Sequence, residues 1–198
     1  MKGYLPTPAQ LPPHMPQLRD GWRRRICRAA LRLCGWSFVG TFPDVPKAVL
    51  IAAPHSSWWD GVWGLLLKVG VGADVHFMGK QELFRGPLGS LLRRLGGMPI
   101  DRGAAKGVVE QMIDRFRQRD TLWLGIAPEG TRKPVKRWKS GFWHIAQDAG
   151  VPIVTAYFNY PDKTIGIGPV FYTSADMEAD LARLRAFYAP FRGKHRNV

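Results

Sequence analysis

His55 and Asp60 stand with four residues between them in Ala53-Pro54-His55-Ser56-Ser57-Trp58-Trp59-Asp60. A carboxylate that holds one imidazole nitrogen leaves the other free as a general base, so these two side chains could move a proton. On one regular element they would not meet. A helix turns them about 140° apart, and a strand puts an odd separation on opposite faces. They do meet if His55 lies in a turn and Asp60 in the first turn of a following helix, with Ser56 or Ser57 as its N-cap. The same residues also read as an incidental histidine beside a helix-capping carboxylate, and the segment alone leaves both readings open.

A second chemical segment is Pro128-Glu129-Gly130-Thr131-Arg132, directly after the apolar run Leu122–Ile126. Glycine permits close backbone approach and arginine binds phosphate through two parallel hydrogen bonds, so this is a possible phosphate seat. It reads equally as a charged surface turn. Lys133, Lys136, Arg137 and Lys139 follow and thicken the positive field. A third segment, Gly97-Met98-Pro99-Ile100-Asp101-Arg102, also ends an apolar run on arginine. His14, His76, His144 and His195 have no partners at metal-ligand spacing, so no metal is expected.

The elements that must position these groups alternate. Ala48–Ala53, Val75–Met78, Met98–Ile100, Leu122–Ile126, Ile153–Phe158 and Thr164–Tyr172 have strand character. Ser57–Val69, Pro87–Leu95, Ala104–Arg119, Lys139–Ala149 and Ala175–Phe187 have helical character, with Gly150 and Pro152 closing one of them. Such alternation predicts a single α/β domain on a mixed, largely parallel sheet flanked by helices. Residues 1–17 read as a flexible, Pro-rich arm. In 18–38, Trp22, Ile26, Ala29, Ala30, Leu33 and Trp36 fall on one helical face, with Arg23, Arg24, Arg25, Arg28 and Arg32 on the rest. Residues 39–198 form the expected catalytic domain.

The chain has 198 residues, 45% of them hydrophobic, which suits one well-cored domain. Its 29 Lys and Arg against 15 Asp and Glu give a net charge of +14. That surplus predicts a polyanionic partner: nucleic acid, anionic lipid or an acidic carrier protein. The nucleic-acid reading lacks a helix-turn-helix, a zinc pattern, or aromatics interleaved with basic residues on a strand. Cys27 and Cys34 lie two helical turns apart, roughly 10 Å, too far for a disulfide, and read as free thiols of a cytoplasmic-side protein. The most apolar window, 61–73, is broken by Lys68 and too short to cross a bilayer. The C-terminal Arg183, Arg185, Arg192, Lys194 and Arg196 read as a solvated basic face.

In content and order these segments resemble the motifs of glycerolipid acyltransferases of the bacterial PlsC type. His55 and Asp60 match the family's histidine and aspartate with four residues between them. Lys80-Gln81-Glu82-Leu83, Gly96 to Arg102, Pro128 to Arg132, Lys139-Ser140-Gly141 and Val151 to Val154 follow in family order. The resemblance covers roughly residues 45–160 and implies acyl transfer from coenzyme A or acyl carrier protein to a hydroxyl of a lysophospholipid, foremost lysophosphatidic acid. It implies His55 as general base, Asp60 as its orienting partner, and Glu129, Gly130, Thr131, Arg132, Arg102 and Lys80 around the acceptor's phosphate. No cofactor beyond the acyl donor is implied. The basic helix then suits an anionic phospholipid surface on the cytoplasmic side of the cell membrane, and reads equally as a core-packing helix with a solvated arginine face. A non-glycerolipid acceptor and a nucleic-acid-binding module stand as the alternatives.

Overall fold

A computed structural model describes residues 11–19, 21–101, 107–133, 135 and 137–195. The described residues form seven strands, β1 (Ser37–Val39), β2 (Lys47–Ala53), β3 (Val75–Lys80), β4 (Gly97–Ile100), β5 (Leu122–Ile126), β6 (Ile153–Asn159) and β7 (Thr164–Phe171). The helices are α1 (Trp22–Leu33), α2 (Trp58–Val71), α3 (Gly86–Arg94), α4 (Val108–Arg117), α5 (Gly141–Ala149) and α6 (Met177–Tyr188), with a 3₁₀ turn at Gln81–Phe84. The strands make one sheet in the order β1-β7-β6-β2-β5-β3-β4. Every pairing is parallel except β6 with β7. The expected mixed, largely parallel α/β sheet is what the chain forms; β1, too short to give a periodic signal, is an addition to it.

Strand β2 shows why the centre of this sheet reads as an unbroken apolar run. Val49, Ile51 and Ala53 pack into one core with α4, α5 and α6, while Ala48 and Leu50 pack into the other with α1 and α2. A strand covered on both faces needs no polar side. The chain moves outward from β2 to β3 with α2 on one face, then returns through α4 and α5 on the opposite face. Right-handed crossovers require that arrangement when the winding direction reverses. β2, β3, β4 and β5 are mutually parallel or linked by parallel partners, so their C-terminal ends share one edge. Loops at that edge are where an open α/β sheet builds its sites.

Two expectations for the N-terminal region change. Within the arm, Leu11 and Met15 are buried in the core beside α1 and α2, and Leu18 N donates to Gly72 O at 2.8 Å. Residues 11–19 are therefore packed, while 1–10 lie outside the described residues. The basic helix is shorter than 18–38: it ends at Leu33, and Trp36, beyond it, is buried against Trp63 and Tyr160. Its packed side is formed by Leu31 and Arg24, whose guanidinium donates to Leu18 O at 2.9 Å. Gly72 closes α2 at φ +88°, and a Cβ there would strike that guanidinium, so glycine serves both conformation and contact. With an arginine stem filling the seam, the apolar stripe of Trp22, Ile26, Ala29 and Leu33 faces outward; Leu33 is 88% exposed.

Candidate active site

The segment after β2 turns sharply through Pro54 and His55 before α2 begins at Trp58. Ser57 is the N-cap, in extended conformation, and its Oγ accepts from Trp59 N at 3.3 Å. Asp60 is the third helical residue and reaches back, completing a capping box. Its Oδ2 accepts from Ser56 N and Ser57 N, both at 2.8 Å. The same oxygen lies 3.2 Å from His55 Nδ1. The histidine and aspartate thus meet by the route that local capping chemistry allows, and the capping and pairing readings of Asp60 are both fulfilled.

Burial separates the two partners. The Asp60 side chain is 1% exposed and the His55 side chain 27%. Burial pushes the Asp60 carboxyl upward, but hydrogen bonds from His55, Tyr160 and the Ser57 backbone outweigh it and hold the group below its ordinary value. Asp60 is therefore a carboxylate at neutral pH. With Nδ1 turned to that carboxylate, Nε2 lies on the side of the ring away from Asp60.

The turn after β5 lies beside this pair, because β5 is the parallel neighbour of β2. Glu129 is 1% exposed, and its carboxylate accepts the His55 backbone N–H at 2.8 Å and 3.1 Å. Held there, the carboxylate ties the loop after β2 to the turn after β5. Gly130 turns at φ +65°, and a Cβ there would collide with the Lys139 side chain, which runs alongside it. Lys139 N donates to Pro128 O at 2.9 Å, which ties the turn to the segment leading into α5. Thr131 and Arg132 follow at the surface; Thr131 Oγ1 accepts from Lys133 N at 3.2 Å. Lys80 closes β3 at the same edge, and β4 ends there at Ile100. Arg102 lies outside the described residues.

Two features at the site carry no signal in the sequence spacing. Tyr160, just past β6, donates its phenolic hydrogen to Asp60 Oδ1 at 2.5 Å. Burial, together with that carboxylate, raises the phenol far above its ordinary value, so it stays protonated. The C-terminal segment also lies on the motif, contrary to a merely solvated basic face. His195 N donates to Ser56 Oγ at 3.2 Å, Lys194 Nζ stands 5.2 Å over the Trp59 ring, and Tyr160 N donates to Arg192 O at 2.9 Å. Trp58, Trp59, Trp63, Trp36 and Tyr160 form a continuous chain of ring contacts beside this motif. Among the described residues no cluster of His, Cys, Asp or Glu is arranged to hold a metal ion.

Comparison with known proteins gives this site its setting. The family model described as Acyltransferase matches residues 28–159, more than half of the chain and all of the site loops after β2 and β5. Comparison with curated proteins gives no match. Among solved structures, the fold is similar to that of the 1-acyl-sn-glycerophosphate (LPA) acyltransferase PlsC from Thermotoga maritima. The TM-score is 0.58 at 18% identity, over 86% of this chain and 80% of that one. A domain that presents His55 and Asp60 on a capped turn, fixed from the neighbouring strand by its Glu-Gly-Thr-Arg segment, belongs to the Acyltransferase family, and the protein is an acyltransferase of PlsC-type fold.

Proposed function

We propose that this acyltransferase moves an acyl group from a thioester of coenzyme A or acyl carrier protein to a hydroxyl of a lysophospholipid, foremost lysophosphatidic acid. The observation that carries the reading is the His55 Nδ1 contact with buried Asp60 at 3.2 Å beside the Glu-Gly-Thr-Arg turn. His55 Nε2 takes the hydroxyl proton as the oxygen attacks the thioester carbonyl. Asp60 stabilises the imidazolium that forms. The C–S bond breaks as the tetrahedral centre collapses, and the imidazolium returns its proton to the departing thiolate. Gly130, Thr131 and Arg132 receive the acceptor's phosphate beside Glu129, with Lys80 and Arg102 adding positive charge. This is a phospholipid-biosynthesis step and needs no cofactor beyond the donor.

The lipid acceptor suits the outer face of α1. Trp22, Ile26 and Leu33 are exposed and flanked by exposed Arg23, Arg25 and Arg32, the pattern of a helix lying in an anionic membrane interface. No described helix is long and apolar enough to cross a membrane. Contact with the cytoplasmic leaflet would therefore be peripheral.

The test is purified protein against a panel of acyl donors and lysophospholipid acceptors, with products identified by mass spectrometry. Acylated lysophosphatidic acid is expected, and donor alone should leave the intact protein mass unchanged. Transfer only to acceptors that lack phosphate would replace the lysophospholipid assignment. A stoichiometric acyl adduct discharged by acceptor would replace direct transfer with a covalent route.

A further inference from the structure

The two oxygens of Asp60 are used unequally. Oδ2 meets three donors, the backbone of Ser56 and Ser57 and the His55 ring, whereas Oδ1 receives the Tyr160 phenol. The torsion about a carboxylate is broad, so backbone donors on one oxygen leave the carboxylate free to roll. Rolling would carry Oδ2 out of line with Nδ1. A fixed donor on Oδ1 stops it. Tyr160 is itself held on several sides: its N donates to Arg192 O at 2.9 Å, its O accepts from Lys163 N at 3.1 Å, and its ring meets Trp36 edge-on at 5.1 Å. It lies 100 residues from Asp60 in the chain and directly follows β6, the neighbour of β2 on the side away from β5.

We infer that Tyr160 is a positioning residue for acyl transfer, acting through Asp60 to hold the His55 imidazole in its working orientation. With Glu129 holding the His55 backbone from β5, the pair is gripped from both neighbouring strands. The inference rests on the reading of His55 as general base.

Tyr160→Phe keeps the ring and its contact with Trp36 and removes only the hydroxyl. Its kcat should fall about tenfold, the effect of losing one hydrogen bond to a charged group, with KM for donor and acceptor unchanged. The acidic limb of the kcat/KM–pH profile should also move to higher pH. Asp60 with one donor fewer presents more negative charge to the imidazolium and favours its protonated form. The other charged groups facing this pair, Glu129 at the His55 backbone and Lys194 over Trp59, are unchanged in the variant. A kcat within twofold of the parent, or a lowered kcat with the acidic limb in place, would overturn the inference. The base assignment is tested separately: an active His55→Ala protein sinks that reading whatever Tyr160→Phe does, and an inactive one beside a normal Tyr160→Phe sinks only this inference.

Discussion

His55 and Asp60 differ in what their replacement should do. His55→Ala removes the proposed base while leaving the capping network of Asp60 with Ser56 and Ser57 in place. Turnover should drop by roughly 10²–10⁴-fold with the fold kept, as read by steady-state rates beside circular dichroism. Asp60→Asn should be severely impaired too, because a neutral amide does not stabilise an imidazolium. Glu129 and Arg132 share one short motif yet should separate in kinetics. Glu129→Ala frees the His55 backbone and should lower kcat with little effect on acceptor KM. Arg132→Ala should raise acceptor KM by losing a bidentate phosphate contact. If the donor KM rises instead, Arg132 belongs to the donor's phosphates.

Among the elements, α6 is anchored by one buried charge. Asp180 accepts from Ser174 N at 2.6 Å, Trp143 Nε1 at 3.0 Å and Arg183 Nη2 at 2.5 Å. Burial raises its carboxyl, but these bonds outweigh burial and bring the group down to about 2. The unfolded chain's carboxyl lies near ~3.9. The folded value is the lower one, so this contribution is full above about pH 4 and is lost as pH falls through about 2. Asp180→Asn should therefore cost about 1.5–3 kcal/mol at pH 7 and flatten the stability–pH curve between about pH 4 and 2, as denaturant titrations at several pH values would measure. An unchanged acid curve would mean the charge contributes little. The anchor has a further consequence, because α6 ends at Tyr188, which donates to Ile51 O on β2 just before the turn that carries His55.

For the whole molecule, the net charge of +14 and the outward stripe of α1 predict binding to vesicles that contain anionic lipid. Binding should weaken as salt rises, since exposed charges are screened within roughly 8 Å at physiological ionic strength. Trp22→Ala/Ile26→Ala/Leu33→Ala should reduce it further without unfolding the domain, because these side chains are exposed. Equal sedimentation with neutral and anionic vesicles would remove the electrostatic part. Tight, salt-sensitive binding to nucleic acid with no acyl transfer would revive that rival class.

The residue order alone determined the strand–helix alternation and the family motifs in sequence, and it offered the turn that brings His55 to Asp60 as one of two readings. These are set by neighbours a few positions apart: hydrophobic period, N-cap chemistry and glycine turns act within one or two turns of chain. What tertiary structure decided is separated along the chain. Glu129 turns its carboxylate onto a backbone 74 residues away because β5 pairs with β2. Tyr160 meets Asp60 only because β6 takes the other side of β2, a strand order that no local pattern encodes. Periodicity gave α1 an apolar stripe, but which way it faces depended on α2 and on an arginine whose buried head finds the carbonyl of Leu18. A stripe records what a helix can cover; the rest of the fold decides whether protein or solvent meets it.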